Sequence, residues 1–401
     1  MNCKLCKNKV TPFFSLGKMP LVNSFLKEED ISKEKKYDLT VGFCKKCFLV
    51  QLAYIVPPRD LYRHYLYFSS TSSSFLKHCD EVSSYLAKKL KLTSKSLVVE
   101  IASNDGTMLS CFKKRGMKIL GVDPAKNIAK KANKRGIKTI PEFFNLSLAK
   151  NLKNKKVTAS LIYGANVLAH VPGIRDFVKG VKVLLSPEGS AVFEFPYIKG
   201  LMENKFDTIY HEHVFYYSLL ALRNLFTSAG LEVYDVEQTE MQGGSLLIYV
   251  SHMGKFKINR KVANLARKEI KLGYKKIDTY KKIEKNTVKI KAVLTGIINK
   301  ISKEGKSVAI YSAPAKGNIL LNYFGIDREI SFIVDKSPAK QGLYTPGTHM
   351  KVLSPKVIAE RKPDYLLILC WNIAEEVMKE QKEYKKNGGK FIIPVPKVKI
   401  I

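Results

Sequence analysis

The sequence predicts an α/β protein with three parts: an amino-terminal unit built around cysteine pairs, a central Rossmann-like unit and a carboxyl-terminal Rossmann-like unit. Two Cys-x-x-Cys pairs lie within the first 47 residues. An apolar strand, a small-residue turn, a helix and a second strand that ends in aspartate follow one another between residues 97 and 123, and a similar pattern returns between 306 and 335. We place the domains at 1–70, 71–255 and 256–401.

Length and composition also predict a multidomain protein. A chain of 401 residues with 45% apolar content is long enough for two or three cores. The sequence has no run of about 18 or more uncharged apolar residues. The first ten residues, MNCKLCKNKV, lack the apolar core of a signal peptide. We therefore expect a cytoplasmic protein with no membrane partner, either a monomer or a weak homo-oligomer.

The charge is strongly positive, with 69 Lys and Arg against 35 Asp and Glu, a formal net charge of +34. The lysines are scattered, as in NLKNKK and KKIDTYKKIEKN, without an arginine stripe or interleaved aromatic residues. A general lysine bias on solvated faces is therefore favoured over a nucleic-acid partner. The positive field would still attract a substrate that carries phosphates.

Four of the seven cysteines form the pairs CKLC and CKKC, at Cys3, Cys6, Cys44 and Cys47. Thiolates at this spacing can share one tetrahedral zinc ion, and four of them leave no position open for catalysis. Disulfides are the alternative, which the paired spacing and a reducing cytoplasm disfavour. The sequence thus predicts a structural zinc site. The other three cysteines, Cys79, Cys111 and Cys370, are expected to be packing residues.

The central pattern predicts a cofactor site. The strand LVVEIASNDG leads into a helix, and the next strand, KILGVDPA, reaches Asp123, seventeen positions after Gly106. A small-residue turn admits a nucleoside, and a carboxylate in this position accepts bonds from ribose hydroxyls. Because Glu100 and Asp105 would repel a pyrophosphate, they favour the cationic groups of S-adenosylmethionine. The alternative is that Asp123 only caps the next helix.

Further groups should meet at the same edge of the sheet. Asn166 and His170 end the strand segment ASLIYGANVLAH, and the segment DTIYHEHVFYYS (207–218) follows another strand. Ligands of open α/β sheets lie beyond the carboxyl ends of the strands. The predicted cofactor-binding residues are Glu100, Ser103, Asn104, Asp105, Gly106, Asp123 and Asn166.

The ordered motifs resemble those of the nucleotide-sugar C-methyltransferases that build branched deoxysugars. The cysteine pairs, EIASNDG, NVLAHVPG, DTIYHEHVFYYS, the GGS at 243–245, SAPAKGN and DKSPAKQGLYTPGTH carry the resemblance over nearly the whole chain. It implies a zinc-binding amino-terminal domain, a central class I methyltransferase domain that binds S-adenosylmethionine, and a Rossmann-like carboxyl-terminal domain. It also implies methyl transfer to a ring carbon beside a ketone, at the third carbon of a 4-keto sugar held between the domains.

The resemblance assigns roles in the YHEH segment. Forming an enolate requires a base that works near neutral pH and donors for the developing oxyanion. By similarity, His213 is the candidate base, and Tyr210 and Glu212 assist it.

Two more residues are expected to contact the sugar or its enolate, namely His170 and Tyr67, with Tyr65 as the substitute for Tyr67. His211 is interpreted as a second-layer or surface residue. Tyr216 and Tyr217 are expected to pack in the core.

The last third of the chain begins with a lysine-rich helical pattern at about 255–305, interpreted as a connector. KSVAIYSAPAKGN and ISFIVDKSPAK then repeat the strand, turn and helix of the cofactor region. A lysine beside a helix amino terminus favours phosphate, so this turn is assigned to the nucleotide diphosphate of the sugar; an ordinary surface loop is the alternative. The predicted substrate-binding residues are Ala315, Lys316, Gly317 and Asp335.

Two other classes of function are alternatives. An RNA methyltransferase would use the same cofactor, but the sequence lacks an NPPY-like turn and an arginine or aromatic track. A catalytically inactive nucleotide-sugar-binding protein would keep the same domains, but the retained acids and the YHEH segment argue against it.

Overall fold

The structure is a computed structural model that describes residues 1–62, 70, 73–239 and 244–401. The predicted substrate contact Tyr67, its substitute Tyr65, and Gly243 of the GGS motif lie outside the described residues. Within the described ranges, no helix is long and apolar enough to cross a lipid bilayer.

The amino-terminal unit is a small antiparallel sheet. Its own strands are β1 Thr11–Pro20, β2 Lys36–Phe43 and β3 Val50–Leu52, with a 3-10 helix at Glu28–Lys33 and the short helix α1 Pro58–Tyr62. Leu39, Val41 and Phe43 are fully buried at every second position of β2, the period expected of a strand with one face on a core.

The central unit alternates helices and strands as predicted. It contains α2 Ser73–Lys89, β4 Leu97–Ile101, α3 Thr107–Lys114, β5 Lys118–Val122, α4 Lys126–Lys134, β6 Thr139–Ile140, α5 Leu146–Asn154, β7 Ala159–Ala165, α6 Ile174–Leu184, β8 Leu185–Pro196, α7 Lys199–Met202, β9 Phe215–Tyr216, α8 Leu219–Thr227, β10 Leu231–Thr239 and β11 Ser245–His252. The apolar residues of α6 recur at helical spacing and are buried: Ile174, Phe177, Val178, Val181 and Leu184.

The central sheet has the order β10-β11-β8-β7-β4-β5-β6. Strands β8, β7, β4, β5 and β6 are parallel, whereas β11 runs antiparallel to both of its neighbours. The chain proceeds from β4 toward β6 on one side and from β7 toward β8 on the other. The strand order therefore reverses between β4 and β7, which is where an open α/β sheet binds its ligand.

Two helices follow the central sheet, α9 Arg260–Lys271 and α10 Ile277–Lys303, where the sequence predicted a helical connector. The buried face of α10 packs on the amino-terminal sheet, because the ring of Tyr280 lies 5.5 Å from Phe13 and 4.9 Å from Phe43, centroid to centroid. The connector is therefore a packed part of the molecule.

The carboxyl-terminal unit repeats the Rossmann-like pattern. It contains β12 Val308–Tyr311, α11 Ala315–Phe324, β13 Phe332–Val334, β14 Val352–Leu353, α12 Val357–Arg361, β15 Tyr365–Ile368, α13 Ala374–Glu380, α14 Lys382–Lys386, β16 Lys390–Ile393 and β17 Lys399–Ile400. The sheet order is β14-β13-β12-β15-β16-β17, parallel except for β17. Its strand order reverses between β12 and β15, so this sheet has a second candidate ligand crevice.

Candidate active site

The two cysteine pairs adopt the same backbone turn. Lys7 N–H donates to the Cys3 carbonyl and Phe48 N–H donates to the Cys44 carbonyl, at 3.0 and 2.9 Å. Lys7 and Phe48 both have a left-handed backbone, with φ of 63° and 62°. Equivalent turns bring the two halves of one site together around a common centre.

The four sulfurs fit a zinc ion. All four lie within 4.8 Å of one another, and the nearest pairs join different turns: Cys3 to Cys47 at 3.5 Å and Cys6 to Cys44 at 3.4 Å. A tetrahedral zinc with bonds of about 2.3 Å separates its sulfurs by about 3.8 Å. Disulfide sulfurs would lie about 2.05 Å apart, and all described cysteines are free thiols. The donor set is therefore that of a structural zinc site.

The other three cysteines lie outside this cluster. Burial raises the pKa of the thiols of Cys79, Cys111 and Cys370 above the usual value. A raised thiol pKa disfavours the reactive thiolate, as expected of packing residues.

The turn after β4 has an unusual backbone. Ala102, Asn104 and Gly106 have φ of 59°, 49° and 78°, so alternate residues of the turn are left-handed. Left-handed alanine is energetically costly, and such strain concentrates at ligand sites. A side chain at Gly106 would meet Ile137 at 2.7 Å as well as requiring positive φ, which explains the glycine at the start of α3.

Two acids lie at the carboxyl ends of the neighbouring strands β4 and β5. Burial, and then the nearby Asp123, raise the pKa of Glu100 well above its usual range. The buried Oε2 of Glu100 and Oγ of Ser103 have no hydrogen-bond partner in the described part of the chain. A bound ligand that offers cationic or hydroxyl groups would satisfy both atoms, so these residues fit S-adenosylmethionine.

The carboxylate of Asp123 also organises the turn. Its Oδ2 accepts from Asn104 N–H and its Oδ1 from Ala125 N–H, both at 2.9 Å. The bond from Ala125, the residue directly before α4, resembles the alternative role of Asp123 as a cap of this helix. Burial raises the pKa of Asp123.

We expect Asp123→Ala to weaken S-adenosylmethionine binding by about 1–3 kcal/mol, because the ribose loses an acceptor and the turn loses a support. Isothermal calorimetry measures this affinity. Asp176→Ala is the matched control, since Asp176 accepts from Leu146 N–H at an exposed position away from the turn. Unchanged affinity in Asp123→Ala would mean that the aspartate serves only as a cap.

Asp105 and Asn166 occupy the two sides of the crevice. The carboxylate of Asp105 accepts from Thr107 Oγ1 at 2.7 Å and lies 3.6 Å from Arg135. Burial opposes ionisation of Asp105, but hydrogen bonds from Ser70 and Thr107 bring its pKa below the usual value. Asn166 follows β7 with a left-handed backbone, φ 54°.

The YHEH segment (210–213) lies where the three units meet. Directly after it, β9 pairs with β3 and adds a fourth strand to the amino-terminal sheet. Tyr217 O–H donates to the Leu168 carbonyl of the central unit at 3.1 Å. Trp371 Nε1–H donates to Asp207 at 2.6 Å from the carboxyl-terminal unit. Contacts from all three units thus fix the chain on both sides of this segment.

His213 is held in a defined tautomer. Its Nδ1 lies 2.8 Å from the Thr208 carbonyl, which can only accept, so Nδ1 carries the proton. Its Nε2 is 2.8 Å from the Tyr210 hydroxyl, which donates. The ring of His170 meets the His213 ring edge to face at 4.9 Å. The structure therefore brings three of the predicted catalytic residues together.

Both histidines are neutral at pH 7. Burial lowers the pKa of His170 to about 4. Burial, then the neighbouring His170 and Lys316, lower the pKa of His213 well below its usual value. The unprotonated, basic form of His213 is therefore the resting form.

Glu212 faces the amino-terminal unit. It is 5% exposed, and its Oε1 accepts from Asn23 Nδ2 at 2.5 Å. Burial raises the pKa of Glu212 to about 7, against the opposing effect of the Asn23 amide. His211 is 1% exposed, and its Nε2 lies 3.3 Å from the Tyr37 carbonyl. Of the two positions predicted for it, the surface is therefore excluded, and a place behind the residues that line the site stays a prediction.

Two lysines place positive charge at the crevice of the carboxyl-terminal sheet. Lys316, on the first turn of α11, and Lys205 lie 5.9 and 5.8 Å from the centre of the Trp371 ring. The carboxylate of Asp207 is fully buried, and the pKa of this group is raised by burial against the effects of Lys316 and Trp371. Asp207 and Trp371 were not predicted as site residues, although Asp207 belongs to the segment DTIYHEHVFYYS.

The other residues predicted to bind the substrate lie in the carboxyl-terminal unit, and their role in binding stays a prediction. Asp335 Oδ2 accepts from Ala313 N–H at 2.8 Å, as Asp123 does for the first turn. A side chain at Gly317 would meet Leu369 at 2.8 Å, so this glycine allows α11 to pack closely. Ala315 is the first residue of α11.

One pocket is lined by both His213 and the lysines Lys205 and Lys316. It is bounded by α7, the YHEH segment, β9 and the start of α11, and its lining residues are Ala169, Pro196, Tyr197, Ile198, Gly200, Leu201, Lys205, Thr208, His213, Phe215, Tyr216, Gly244 and Lys316. Of the two tyrosines expected in the core, Tyr217 is 1% exposed, and the buried Tyr216 also borders the pocket.

Comparison with known proteins identifies the chain. Family models match a zinc binding domain at residues 3–62, a methyltransferase domain at 73–236 and a C-methyltransferase C-terminal domain at 240–396. C-methyltransferase NovU of Streptomyces niveus is 35% identical over 404 residues, which cover 100% of this chain and 96% of that protein.

Solved structures are more distant. PH0226 protein from Pyrococcus horikoshii OT3 is 14% identical over 50% of this chain and 100% of its own, with a TM-score of 0.37. Magnesium protoporphyrin IX methyltransferase from Synechocystis PCC 6803 with bound SAM is 12% identical over 44% of this chain and 79% of its own, with a TM-score of 0.34. These structural likenesses carry no further argument. The family models and the full-length relative show that the chain belongs to the zinc-binding, S-adenosylmethionine-dependent C-methyltransferases.

Proposed function

We propose that this enzyme methylates the carbon beside the ketone of a nucleotide-diphosphate-linked deoxysugar, the third sugar carbon of a 4-keto substrate. The observation that carries the proposal is the position of His213, which lines a pocket together with Lys316. Its Nε2 accepts from the Tyr210 hydroxyl, and its ring lies against that of His170. A carbon beside a ketone becomes a nucleophile only after it loses a proton, and His213 offers a base at the pocket with candidate oxyanion donors beside it.

His213 is the proposed base. Because its Nδ1–H is bonded to the Thr208 carbonyl, Nε2 is the nitrogen that can take a proton. In the resting site Nε2 accepts from the Tyr210 hydroxyl, so the substrate proton reaches Nε2 through this hydroxyl or after the hydroxyl turns toward the substrate. The Thr208 carbonyl then stabilises the imidazolium that forms. Glu212, ionised above a pKa of about 7, provides a negative charge next to the base in the chain.

His170 and Tyr210 are proposed to hold the enolate oxygen. With a pKa of about 4, His170 remains a neutral imidazole at pH 7 and offers a ring N–H without losing a proton. A neutral donor can stabilise an oxyanion in this way without proton transfer. Tyr67, which is not among the described residues, is proposed to contact the sugar.

The reaction balances without another co-reactant. The carbon–hydrogen bond breaks, its proton goes to His213, and its electron pair forms the enolate, which His170 and Tyr210 stabilise. The enolate carbon would then form a carbon–carbon bond to the electrophilic methyl group that S-adenosylmethionine supplies when bound, and the electron pair of the broken sulfur–carbon bond would leave with S-adenosylhomocysteine. Glu100 and Asp123 are proposed to bind the cofactor at the first crevice.

Lys316 is proposed to bind the diphosphate. It stands on the first turn of α11, where helix N–H groups and the lysine charge both favour an anion. Lys316 also contributes to the low pKa of His213. A phosphate beside Lys316 offsets this effect, so substrate binding makes His213 a stronger base.

We expect the protein to transfer a labelled methyl group from S-adenosylmethionine to the nucleotide-sugar fraction of a cell extract. Mass spectrometry should show a gain of one CH2 unit in a nucleotide-linked keto sugar. A label on RNA, or no label in any fraction, would contradict the proposal.

A binding measurement with Lys316→Ala tests the proposed diphosphate site. Loss of the cation should weaken nucleoside-diphosphate binding about tenfold to hundredfold, because a hydrogen bond to a charged group is removed. Trp371 is the only tryptophan in the sequence, so its fluorescence reports binding close to Lys316. Lys300→Ala, an exposed change on α10, controls for the general positive charge. Equal affinity in the Lys316 and Lys300 variants would remove Lys316 from the proposed site.

A further inference from the structure

Asn23 lies in the amino-terminal unit but contacts the proposed catalytic segment. It is an exposed residue between β1 and the 3-10 helix at Glu28–Lys33, and its amide donates to the buried Glu212 at 2.5 Å. In the sequence, Asn23 stands 189 positions from Glu212, in no motif that indicates chemistry.

The segment around Asn23 is fixed on both sides by the carboxyl-terminal unit. Asn318 Nδ2 donates to the Val22 carbonyl at 2.8 Å. Leu26 and Tyr344 exchange two backbone hydrogen bonds, at 3.0 and 2.8 Å. Asn318 lies on α11, two residues after Lys316. A continuous hydrogen-bonded path therefore runs from the helix that carries Lys316, through Val22 and Asn23, to Glu212.

Charged neighbours do not account for the pKa of Glu212. On its own loop, it is flanked by His211 and His213. Asp38 of β2 acts on the pKa of His211, and Lys316 of α11 acts on that of His213. In the described part of the chain, the pKa of Glu212 is raised by burial and lowered by the Asn23 amide. The hydrogen bond from Asn23 is therefore the contact that favours the ionised carboxylate.

We infer that Asn23 is a positioning residue for methyl transfer, which orients the Glu212 carboxylate and keeps it aligned with the substrate-binding helix α11. The inference rests on the proposed function of Glu212 and Lys316. It explains why the residue before Asn23 is bonded to α11 through its carbonyl while the amide of Asn23 is bonded to a buried carboxylate. The zinc-binding unit thereby contributes to the reaction as well as to the fold.

The test is Asn23→Ala, with Asn286→Ala as the matched control. Asn286 also joins two separate segments, through its amide and Asn204 at 3.0 Å, but it does not touch Glu212. Carbon-13 NMR of labelled glutamate, assigned with Glu212→Gln, follows the titration of this carboxyl group. Losing the donor should raise the titration midpoint by about half to one pH unit in Asn23→Ala and leave it unchanged in Asn286→Ala.

Kinetics provide the second readout. If Glu212 acts as a carboxylate, the acid limb of kcat should move to higher pH by the same amount. At pH 7, kcat should fall by about twofold to fivefold, with little change in KM, because a smaller fraction of Glu212 is ionised. In a Glu212→Gln background, Asn23→Ala should have no further effect.

An unchanged titration and an unchanged pH profile in Asn23→Ala would overturn the inference. So would an equal effect of Asn23→Ala with and without Glu212, since Asn23 would then act elsewhere. The NMR titration needs no substrate, so a wild-type protein that methylates no nucleotide sugar would refute the proposed function while the titration still decides whether Asn23 controls Glu212.

Discussion

Replacing His213 with asparagine should reduce methyl transfer by about a hundredfold to ten-thousandfold, because the proposed general base is lost. Both ligands should still bind, since asparagine keeps a polar side chain in the pocket and the substitution leaves Glu100 and Asp123 at the proposed cofactor turn unchanged. Exchange of the ring proton with deuterated solvent should fall by a similar factor when S-adenosylhomocysteine occupies the site. Mass spectrometry measures the transfer, and NMR of the sugar proton measures the exchange.

The neighbouring residues give graded controls. His211→Asn is the matched substitution two positions earlier, and it should matter least because His211 contacts the Tyr37 carbonyl on β2. Glu212→Gln should be milder than His213→Asn if Glu212 only assists the base. Tyr210→Phe should slow both reactions, since its hydroxyl is bonded to Nε2 of His213. A normal rate of proton exchange in His213→Asn would show that another residue is the base, with Tyr210, Glu212 and His170 as the candidates.

Much of the fold was predictable because local patterns agree with it. The strand LVVEI, the small-residue turn and Asp123 predicted the first Rossmann-like unit, and SVAIY with Asp335 predicted the second. The structure explains the likeness, since each aspartate accepts a backbone N–H of the turn that follows the first strand of its unit. This shared bond is a requirement of the fold, so the aspartate alone does not identify a ligand site.

The site was predictable only in part. The YHEH segment was visible because several proton-handling side chains are adjacent in the sequence. Asn23, Asp207 and Trp371 make hydrogen bonds that span 164 or more positions, which no local pattern encodes. The left-handed backbone at Ala102 was also hidden, since alanine does not indicate positive φ as glycine does. Packing between the units, and not sequence proximity, brings these residues together.

Removing the zinc site should have the largest effect on stability. The wild-type protein should contain one equivalent of zinc by elemental analysis, and Cys44→Ser should lose most of it. Structural zinc contributes about 10–16 kcal/mol of apparent binding free energy in small zinc peptides, which is comparable with the whole stability of a domain. We therefore expect the amino-terminal unit of Cys44→Ser to lose cooperative unfolding and to become sensitive to protease.

The same variant should also lose methyl transfer, although no sulfur of the cluster lines the pocket. Cys44 and Cys47 lie directly before β3, and β3 pairs with β9 immediately after His213. Unfolding of this sheet therefore releases one side of the YHEH segment and separates Asn23 from Glu212. Cys111→Ser, a change at a half-buried cysteine outside the cluster, should retain zinc and activity. A metal-free Cys44→Ser protein with the wild-type melting temperature and normal activity would contradict both the structural zinc and this connection between β3 and the site.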